Sequence, residues 1–510
     1  MVQSIMPNFP SVVRYLPWLL LLGYFVLGSV TLTSGHGWGD DWAQYILHAR
    51  NILNGRPYGD TGYLFNPDNP SIGPPNYPPG LPFVLAPAIA VFGVNIVALK
   101  IVCFVCVVAA FPLIFNVLRA SLGGAVALFS VGLFALNCDV WTLRDYISSE
   151  APYILFSSLT LWWAADGASR PRGFWPSLRA GTLLGLFVFL SVACRSIGIS
   201  LLIALLVHGW SQRRPLSWLL SLIASFSLLI WLQTLLLVAP TAYEHELKTP
   251  TIELVLQNLN GYRVALGWLF PLPFKLSQFA AVPIVGLAAI GVANICARRD
   301  ATTQQIWSVR GFAARVPLFL WYLLAYLSAL TLAAIEPGQR YLLPVLPFII
   351  ALATTGVFTL ARHLPNPQRY VPPAMAAIVI YYVAQYAALA RPQPDESAVC
   401  DACQQMYAFV RTRTPPDAVI AFAKPRVMAL MAGRTSWMWS TKYSPEEFRR
   451  RLRDVGVSVL VIAAPGTALA ERYYPASLDF TALTHDSSSK VLFQNGMFTA
   501  IRVAAGGEKQ

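Results

Sequence analysis

The chain has 510 residues, 56% of them hydrophobic and only 12% charged. A soluble protein carries about 25% Asp, Glu, Lys and Arg, so this composition excludes an ordinary soluble globule, a disordered chain and a coiled coil. Seven cysteines are too few for a disulfide-built scaffold.

Apolar runs long enough to cross about 30 Å of hydrocarbon centre near residues 24, 107, 128, 160, 187, 204, 230, 287, 325, 350 and 380. They predict a polytopic α-helical membrane protein of about eleven spans. The first run starts at Leu16; it is too long for a signal-peptide core and no A-x-A-like site follows it before Asp40. It reads as a retained helix.

The net charge of +13 invites a nucleic-acid reading, which the distribution of that charge removes. With the N-terminus inside, the short inner loops hold thirteen basic residues, from Arg14 to Arg369, against the two acids Asp166 and Asp300. The outer segments before residue 391 hold eight basic residues and eleven acids. That is the positive-inside pattern, and it calls for no nucleic acid.

The outer segment Thr33 to Val94 is rich in Pro and Gly, with an amphipathic stretch from Trp42 to Leu53 expected to lie flat on the membrane surface. An odd number of spans puts the C-terminus outside. From Arg391 the composition shifts to fifteen basic and eleven acidic residues without another long apolar run. Strand-like stretches at 417–422, 457–463, 490–494 and 498–503 alternate with helical patterns at 401–413 and 445–455, which predicts a small extracytoplasmic α/β domain. The expected division is therefore a membrane domain, 1–390, carrying the outer loop 33–94, and an outer domain, 391–510.

No Gly-Lys dipeptide, strand-borne G-x-G-x-x-G, H-E-x-x-H or G-x-S-x-G occurs, so a phosphate-cradling loop, a dinucleotide fold, a zinc protease and a nucleophile elbow lose support. What remains is a set of acids and arginines at the outer ends of helices. Asp40-Asp41 follows the first span directly, where adjacent carboxylates need water or a partner and can serve as a general base. From spacing alone, a solvated turn capping the helix that begins near Trp42 explains them better. Tyr77-Pro78-Pro79-Gly80 closes the same segment and is at least a rigid entry to an apolar helix. Glu150, at the outer start of a span, is costly unless paired or lining a cavity, which makes it a candidate functional acid; the alternative is a salt bridge to Arg144 or another basic residue. Arg195 and Arg340 sit at outer helix ends, where a guanidinium can bind phosphate bidentately or reach for lipid headgroups.

The order of these motifs is an acid pair with Tyr45 and Ala49-Arg50, then Tyr-Pro-Pro-Gly, Ser-Glu-x-Pro-Tyr, and Arg-Tyr-x-x-Pro. It resembles the polyprenol-phosphate-sugar-dependent glycosyltransferases of the GT-C fold, among them protein O-mannosyltransferases and the lipid A aminoarabinose transferase. The stretch Thr412 to Ile420, with Lys424-Pro425-Arg426 and Gly433-Arg434, resembles the outer domain of bacterial members. The resemblance implies an inverting transfer from a polyprenyl-phosphate sugar to a lipid, glycan or protein hydroxyl, on the outer face of a bacterial inner membrane. It implies Asp41 as the base, since Tyr45 then falls four residues on and Arg50 nine, with Asp40 the second choice. It further implies Glu150 as a second acid, and Tyr45, Arg50, Tyr77, Arg195, Arg340 and Tyr341 as substrate-binding residues. Trp42 departs from the Glu that many relatives carry there, which weakens a two-acid metal site. Tyr77 stands where relatives with Lys-Pro-Pro have a cation. No cofactor is called for, although a divalent metal stays open.

Of the cysteines, Cys400 and Cys403 lie in the outer domain, where a structural disulfide is the expected state. A transporter or flippase of lipid-linked sugars is the alternative to transfer. It would place ionisable groups at mid-span and show paired repeats, and neither pattern is visible.

Overall fold

The structure, a computed structural model, describes residues 16–69, 72–165, 173–237, 251–270, 277–298, 309–334, 336–389, 397–474 and 490–503. Arg14, Asp166, Arg170, Arg172, Glu244, Glu246, Lys248, Lys275, Arg299, Asp300 and the boundary residue Arg391 lie outside them.

The chain divides into two compact units. The first comprises the described residues of Met1–Leu32, Lys100–Leu236 and Glu244–Arg391. It is built of apolar helices, and each of the eleven expected centres falls inside one. Among the described residues, four helices are long and apolar enough to cross a membrane: Ile96–Leu122, Phe174–Cys194, Leu216–Leu237 and Phe279–Ala297. Two bent pairs raise the number to six if each counts as one span: Gly124–Leu136 with Cys138–Asp145, and Val309–Arg315 with Leu318–Leu332. The expected count of about eleven exceeds this because several helices stop early. At 1.5 Å per residue, a 13-residue helix such as Ile199–Ser211 covers only about 20 Å. Two of the short helices, Ile199–Ser211 and Leu346–Ala361, begin after turns that carry polar groups. Arg195 leaves the helix in extended conformation before the 3₁₀ turn Ser196–Gly198, and Arg340 lies in the 3₁₀ turn Gln339–Tyr341.

The second unit is chiefly the described residues of Thr33–Leu99 and Pro392–Gln510. It holds a six-stranded sheet: β1 (Tyr63–Leu64), β2 (Val419–Ala421), β3 (Thr435–Trp437), β4 (Val457–Ala463), β5 (Lys490–Gln494) and β6 (Phe498–Arg502), in the order β1-β3-β2-β4-β6-β5. β1, β3, β2 and β4 run parallel; β6 and β5 close the sheet as an antiparallel hairpin. Helices Asp401–Arg413, Pro425–Ala432 and Pro445–Asp454 connect the strands. The expected α/β domain is present, but the grouping differs from a break at residue 391. The outer loop contributes β1, paired Tyr63 to Ser436 and Leu64 to Trp437. The side chains of Asn66 and Asn69 donate to the carbonyls of Met438 and Trp439 at 2.9 and 2.7 Å, extending that attachment.

The helix Asp41–Leu53 does not present the open apolar face expected of a helix lying flat on a membrane surface. Trp42 to Ala49 and Asn51 are all buried, because the helix packs within this unit against Gly80–Phe92 and Pro425–Ala432. Cys400 and Cys403 are free thiols rather than a disulfide. The Cys400 sulfur caps its helix by accepting the Cys403 N–H at 3.3 Å, and the Cys403 thiol points at the Ser397 carbonyl, 3.4 Å away.

Candidate active site

The two adjacent acids have different surroundings. Helix Pro425–Ala432 starts with Pro at N1 after Lys424, whose side chain cannot accept a hydrogen bond, so its first N–H groups lack a local cap. Asp40 supplies that cap from 386 residues away: its carboxylate accepts from the N–H of Arg426 at 3.3 Å and of Val427 at 3.1 Å. Its side chain is 5% exposed. Burial pushes the Asp40 carboxyl above its ordinary value, against the pull of Arg426, Lys424 and the two backbone N–H groups. Asp40 therefore makes no side-chain cap for its own helix, contrary to the expectation from spacing.

Asp41, one residue on, keeps 36% of its side chain exposed. Its Oδ1 accepts from the Tyr77 hydroxyl at 2.8 Å and from Arg426 Nη1 at 3.3 Å. Arg426 is fully buried, and the rings of Tyr63 and Tyr77 lie 4.8 and 4.9 Å from its guanidinium. It donates to the Tyr77 oxygen at 2.8 Å and to the Pro74 carbonyl at 2.9 Å. Gly73, at φ +93°, keeps this corner open, since a Cβ there would come within 2.7 Å of the Tyr77 hydroxyl and 2.9 Å of Arg426 Nη2. Tyr45 stacks on Tyr77 with centroids 4.9 Å apart.

At about 100° per residue, Asp41, Tyr45 and His48 share one face of their helix, while Arg50 lies half a turn away. Arg50 is exposed, so the structure does not bring it to this cluster. His48, embedded beneath Tyr77, holds the loop instead. Its Nε2 accepts the Tyr77 N–H at 3.3 Å and its Nδ1 donates to the Tyr58 carbonyl at 2.8 Å, an arrangement that needs the neutral ring. Burial, with a smaller push from Arg426, lowers its pKa from 6.5 to about 4, the Tyr58 carbonyl opposing. Between those values the unfolded chain binds the proton and the folded chain does not, so stability rises with pH. The contribution is complete above about 6.5 and is lost as pH falls towards 4. Wild type should lose thermal stability across this window more steeply than His48→Gln; equal slopes in a melting series would contradict the assignment.

The apolar-helix unit holds a second cluster. Glu150 opens the helix Glu150–Ala165 and its side chain is only 5% exposed. Arg195 Nη1 donates to Glu150 Oε1 at 2.5 Å and to the Ser149 hydroxyl at 3.3 Å. Arg340 Nε lies 3.9 Å from the same carboxylate oxygen, and its Nη2 donates to the Tyr341 hydroxyl at 3.1 Å. Both guanidinium carbons lie 5.1 Å from the Tyr341 ring centroid. The Tyr326 hydroxyl fixes the turn by donating to the Tyr341 carbonyl at 2.7 Å. Two guanidinium groups thus face one carboxylate, and the surplus positive charge suits an anion. Arg144 turns elsewhere, to Asp145 and to the Trp141 ring.

Of the expected residues, Asp40, Asp41, Tyr45 and Tyr77 meet in one cluster, and Glu150, Arg195, Arg340 and Tyr341 in the other. Sequence reasoning missed Arg426 as a member of the first, although Lys424-Pro425-Arg426 had stood out as a motif. It also missed fully buried Lys100, whose ammonium lies 3.1 Å from Asp145. The acid pair does not fit a divalent cation: Asp40 is taken up by backbone N–H groups and Arg426 lies against both carboxylates. Among the described residues no group of three His, Cys, Asp or Glu side chains could hold a metal.

The family model of dolichyl-phosphate-mannose-protein mannosyltransferases matches residues 76–236, the stretch that carries Tyr77, Glu150 and Arg195. No curated protein sequence matches the chain. The structure is similar to ArnT from Cupriavidus metallidurans bound to undecaprenyl phosphate, at 11% identity over 96% of this chain and 99% of that one, with a TM-score of 0.55. It is also similar to the oligosaccharyltransferase AglB from Archaeoglobus fulgidus, in complex with an inhibitory peptide and a dolichol-phosphate. That match has 12% identity over 88% of this chain and 70% of that one, with a TM-score of 0.54. A third likeness is to the arabinofuranosyltransferase AftD from Mycobacteria, at 14% identity over 96% of this chain and 41% of that one, TM-score 0.51. The chain has the GT-C fold of these membrane glycosyltransferases.

Proposed function

We propose that the chain is a membrane glycosyltransferase that moves a sugar from a polyprenyl phosphate to a hydroxyl of an envelope lipid, glycan or protein. The reaction would take place on the outer face of a bacterial inner membrane. The likeness to ArnT bound to undecaprenyl phosphate supports this substrate class. The observation that carries the mechanism is the split fate of the acid pair: Asp40 is spent on a helix cap, whereas Asp41 is partly exposed and held by Tyr77 and Arg426.

In this reading the acceptor oxygen attacks the anomeric carbon while its proton passes to the Asp41 carboxylate. The bond between that carbon and the phosphate oxygen breaks, and both of its electrons leave with the polyprenyl phosphate, which gains one negative charge. A single displacement inverts the anomeric centre. Arg195 and Arg340 take the growing phosphate charge, with Glu150 orienting the two guanidinium groups rather than exchanging protons. Arg340 is the more accessible, its side chain 55% exposed.

Arg340→Lys should therefore slow transfer about ten- to a hundred-fold, the loss of one charge-assisted hydrogen bond worth roughly 1.5–3 kcal/mol in the transition state. Snorkelling to lipid headgroups would survive the change, because Lys reaches as far. Rates within about twofold of wild type at equal expression would assign Arg340 to that lesser role. In cells, an Asp41→Asn allele should remove one sugar mass from one envelope component, read by mass spectrometry, as deletion of the gene does. An unchanged envelope in both strains contradicts the proposal.

A further inference from the structure

We infer that Arg426 takes the place of a divalent cation between Asp40 and Asp41, and is the residue that positions Asp41 and sets its basicity. The second half rests on the reading of Asp41 as the base; the first stands on geometry alone. The guanidinium reaches both acids, with Nη1 3.3 Å from Asp41 Oδ1 and Nε 3.9 Å from Asp40 Oδ2. Its Nη1 also donates to the Tyr77 oxygen, whose own proton goes to Asp41 Oδ1, so one cation directs two donors at one carboxylate oxygen. Two tyrosine rings and the Pro74 carbonyl fix its plane. A planar fork held in this way keeps one orientation, as a flexible ammonium would not.

A Mg²⁺, Mn²⁺ or Ca²⁺ ion would need about six oxygen ligands at short range, water included. Here Asp40 accepts two backbone N–H groups, and the space between the acids is filled by a fully buried side chain. The resident charge is covalently attached and cannot be chelated. The other titratable groups of this unit around Asp41 act at one remove. Tyr45 stacks on Tyr77, His48 holds the Tyr77 N–H, Tyr63 faces Arg426, and Lys424 acts on Asp40.

The test uses the full-length protein in nanodiscs, first with Mn²⁺ alone as the probe. In a titration followed by electron paramagnetic resonance, wild type should show no bound Mn²⁺ that Asp41→Asn removes. A stoichiometric site lost in Asp41→Asn overturns the inference, whatever the turnover. The second readout is the pH dependence of undecaprenyl phosphate release from undecaprenyl-phosphate hexoses and pentoses, with an envelope extract as acceptor. Wild-type release should persist in EDTA. In Arg426→Met the acidic limb of kcat/KM should move up by about one pH unit, since a neighbouring positive charge favours the ionised carboxylate. Arg426→Lys should return the limb towards wild type at a lower rate. An unmoved limb in a folded Arg426→Met, or EDTA inactivation reversed by Mn²⁺, also overturns it. Where Arg426→Met does not fold, Arg426→Gln gives the same reading, because it removes the charge beside Asp41 Oδ1 and keeps a hydrogen-bond donor in the buried site. If wild type releases nothing from any donor, the glycosyl-transfer reading fails and the Mn²⁺ titration alone decides the place of Arg426.

Discussion

Asp41→Asn is expected to lower sugar transfer by about 10²- to 10⁴-fold, the usual contribution of a positioned general base, and to leave the melting temperature close to that of wild type. The amide is isosteric with the carboxylate, and its oxygen still accepts from the Tyr77 hydroxyl. It cannot take a proton from an acceptor hydroxyl. Asp41 is itself partly exposed, and buried Arg426, which loses this counter-charge, keeps Asp40 3.9 Å away and its bonds to Tyr77 and Pro74. Asp40→Asn has the opposite signature. One of the two oxygens capping Arg426 and Val427 becomes an NH₂ group, and a buried guanidinium loses one of its two counter-charges. That variant should lose roughly 1–3 kcal/mol of stability, and its remaining folded fraction should still turn over. If Asp40→Asn were stable and inactive while Asp41→Asn stayed active, the roles of the two acids would have to be exchanged.

The second large effect is on the other cluster. Arg195→Met strands Glu150, whose side chain is 5% exposed and whose shortest ion pair is the 2.5 Å contact to Arg195. Removing one partner of a buried pair costs about 3–5 kcal/mol, because the remaining charge is left without compensation. Arg340 sits 3.9 Å from the same oxygen and can offset only part of that loss. The double variant Glu150→Gln, Arg195→Met should recover most of the stability while remaining inactive, since the guanidinium proposed to hold the donor phosphate is still missing. Thermal melts and transfer rates on the same preparations separate the two effects. A double variant as unstable as the single one would mean that Arg195 stabilises the helix ends by packing rather than by charge.

What could be read from sequence follows from how local each signal is. The apolar helices were visible because hydropathy is averaged over a window about as long as a span, and the α/β domain because β4, β5 and β6 are long enough to show. β1 and β3, two and three residues long, carry too little pattern to be seen alone. That β1 belongs to the C-terminal sheet is information held between distant segments. The irregular segments at Arg195 and Arg340 were legible as charges but not as turns. Asp41 was preferred to Asp40 through the positions of Tyr45 and Arg50. Tyr45 does share its face, yet Arg50 points away, so half of that argument found no structural counterpart. Arg426 was beyond reach of local reading, because its contact with Asp41 spans 385 residues. A useful signal was nevertheless present: Tyr77 stands where a cation was expected, which calls for a positive charge from elsewhere, and Arg426 lies in one of the quoted motifs.

The most direct measurement is the release of undecaprenyl phosphate by the purified protein from undecaprenyl-phosphate sugars, followed by mass spectrometry with an envelope extract as acceptor. The account predicts release from at least one hexose or pentose donor, a product of inverted anomeric configuration, and loss of both in Asp41→Asn. Intact donor after prolonged incubation with every sugar, or release that Asp41→Asn does not diminish, would contradict it.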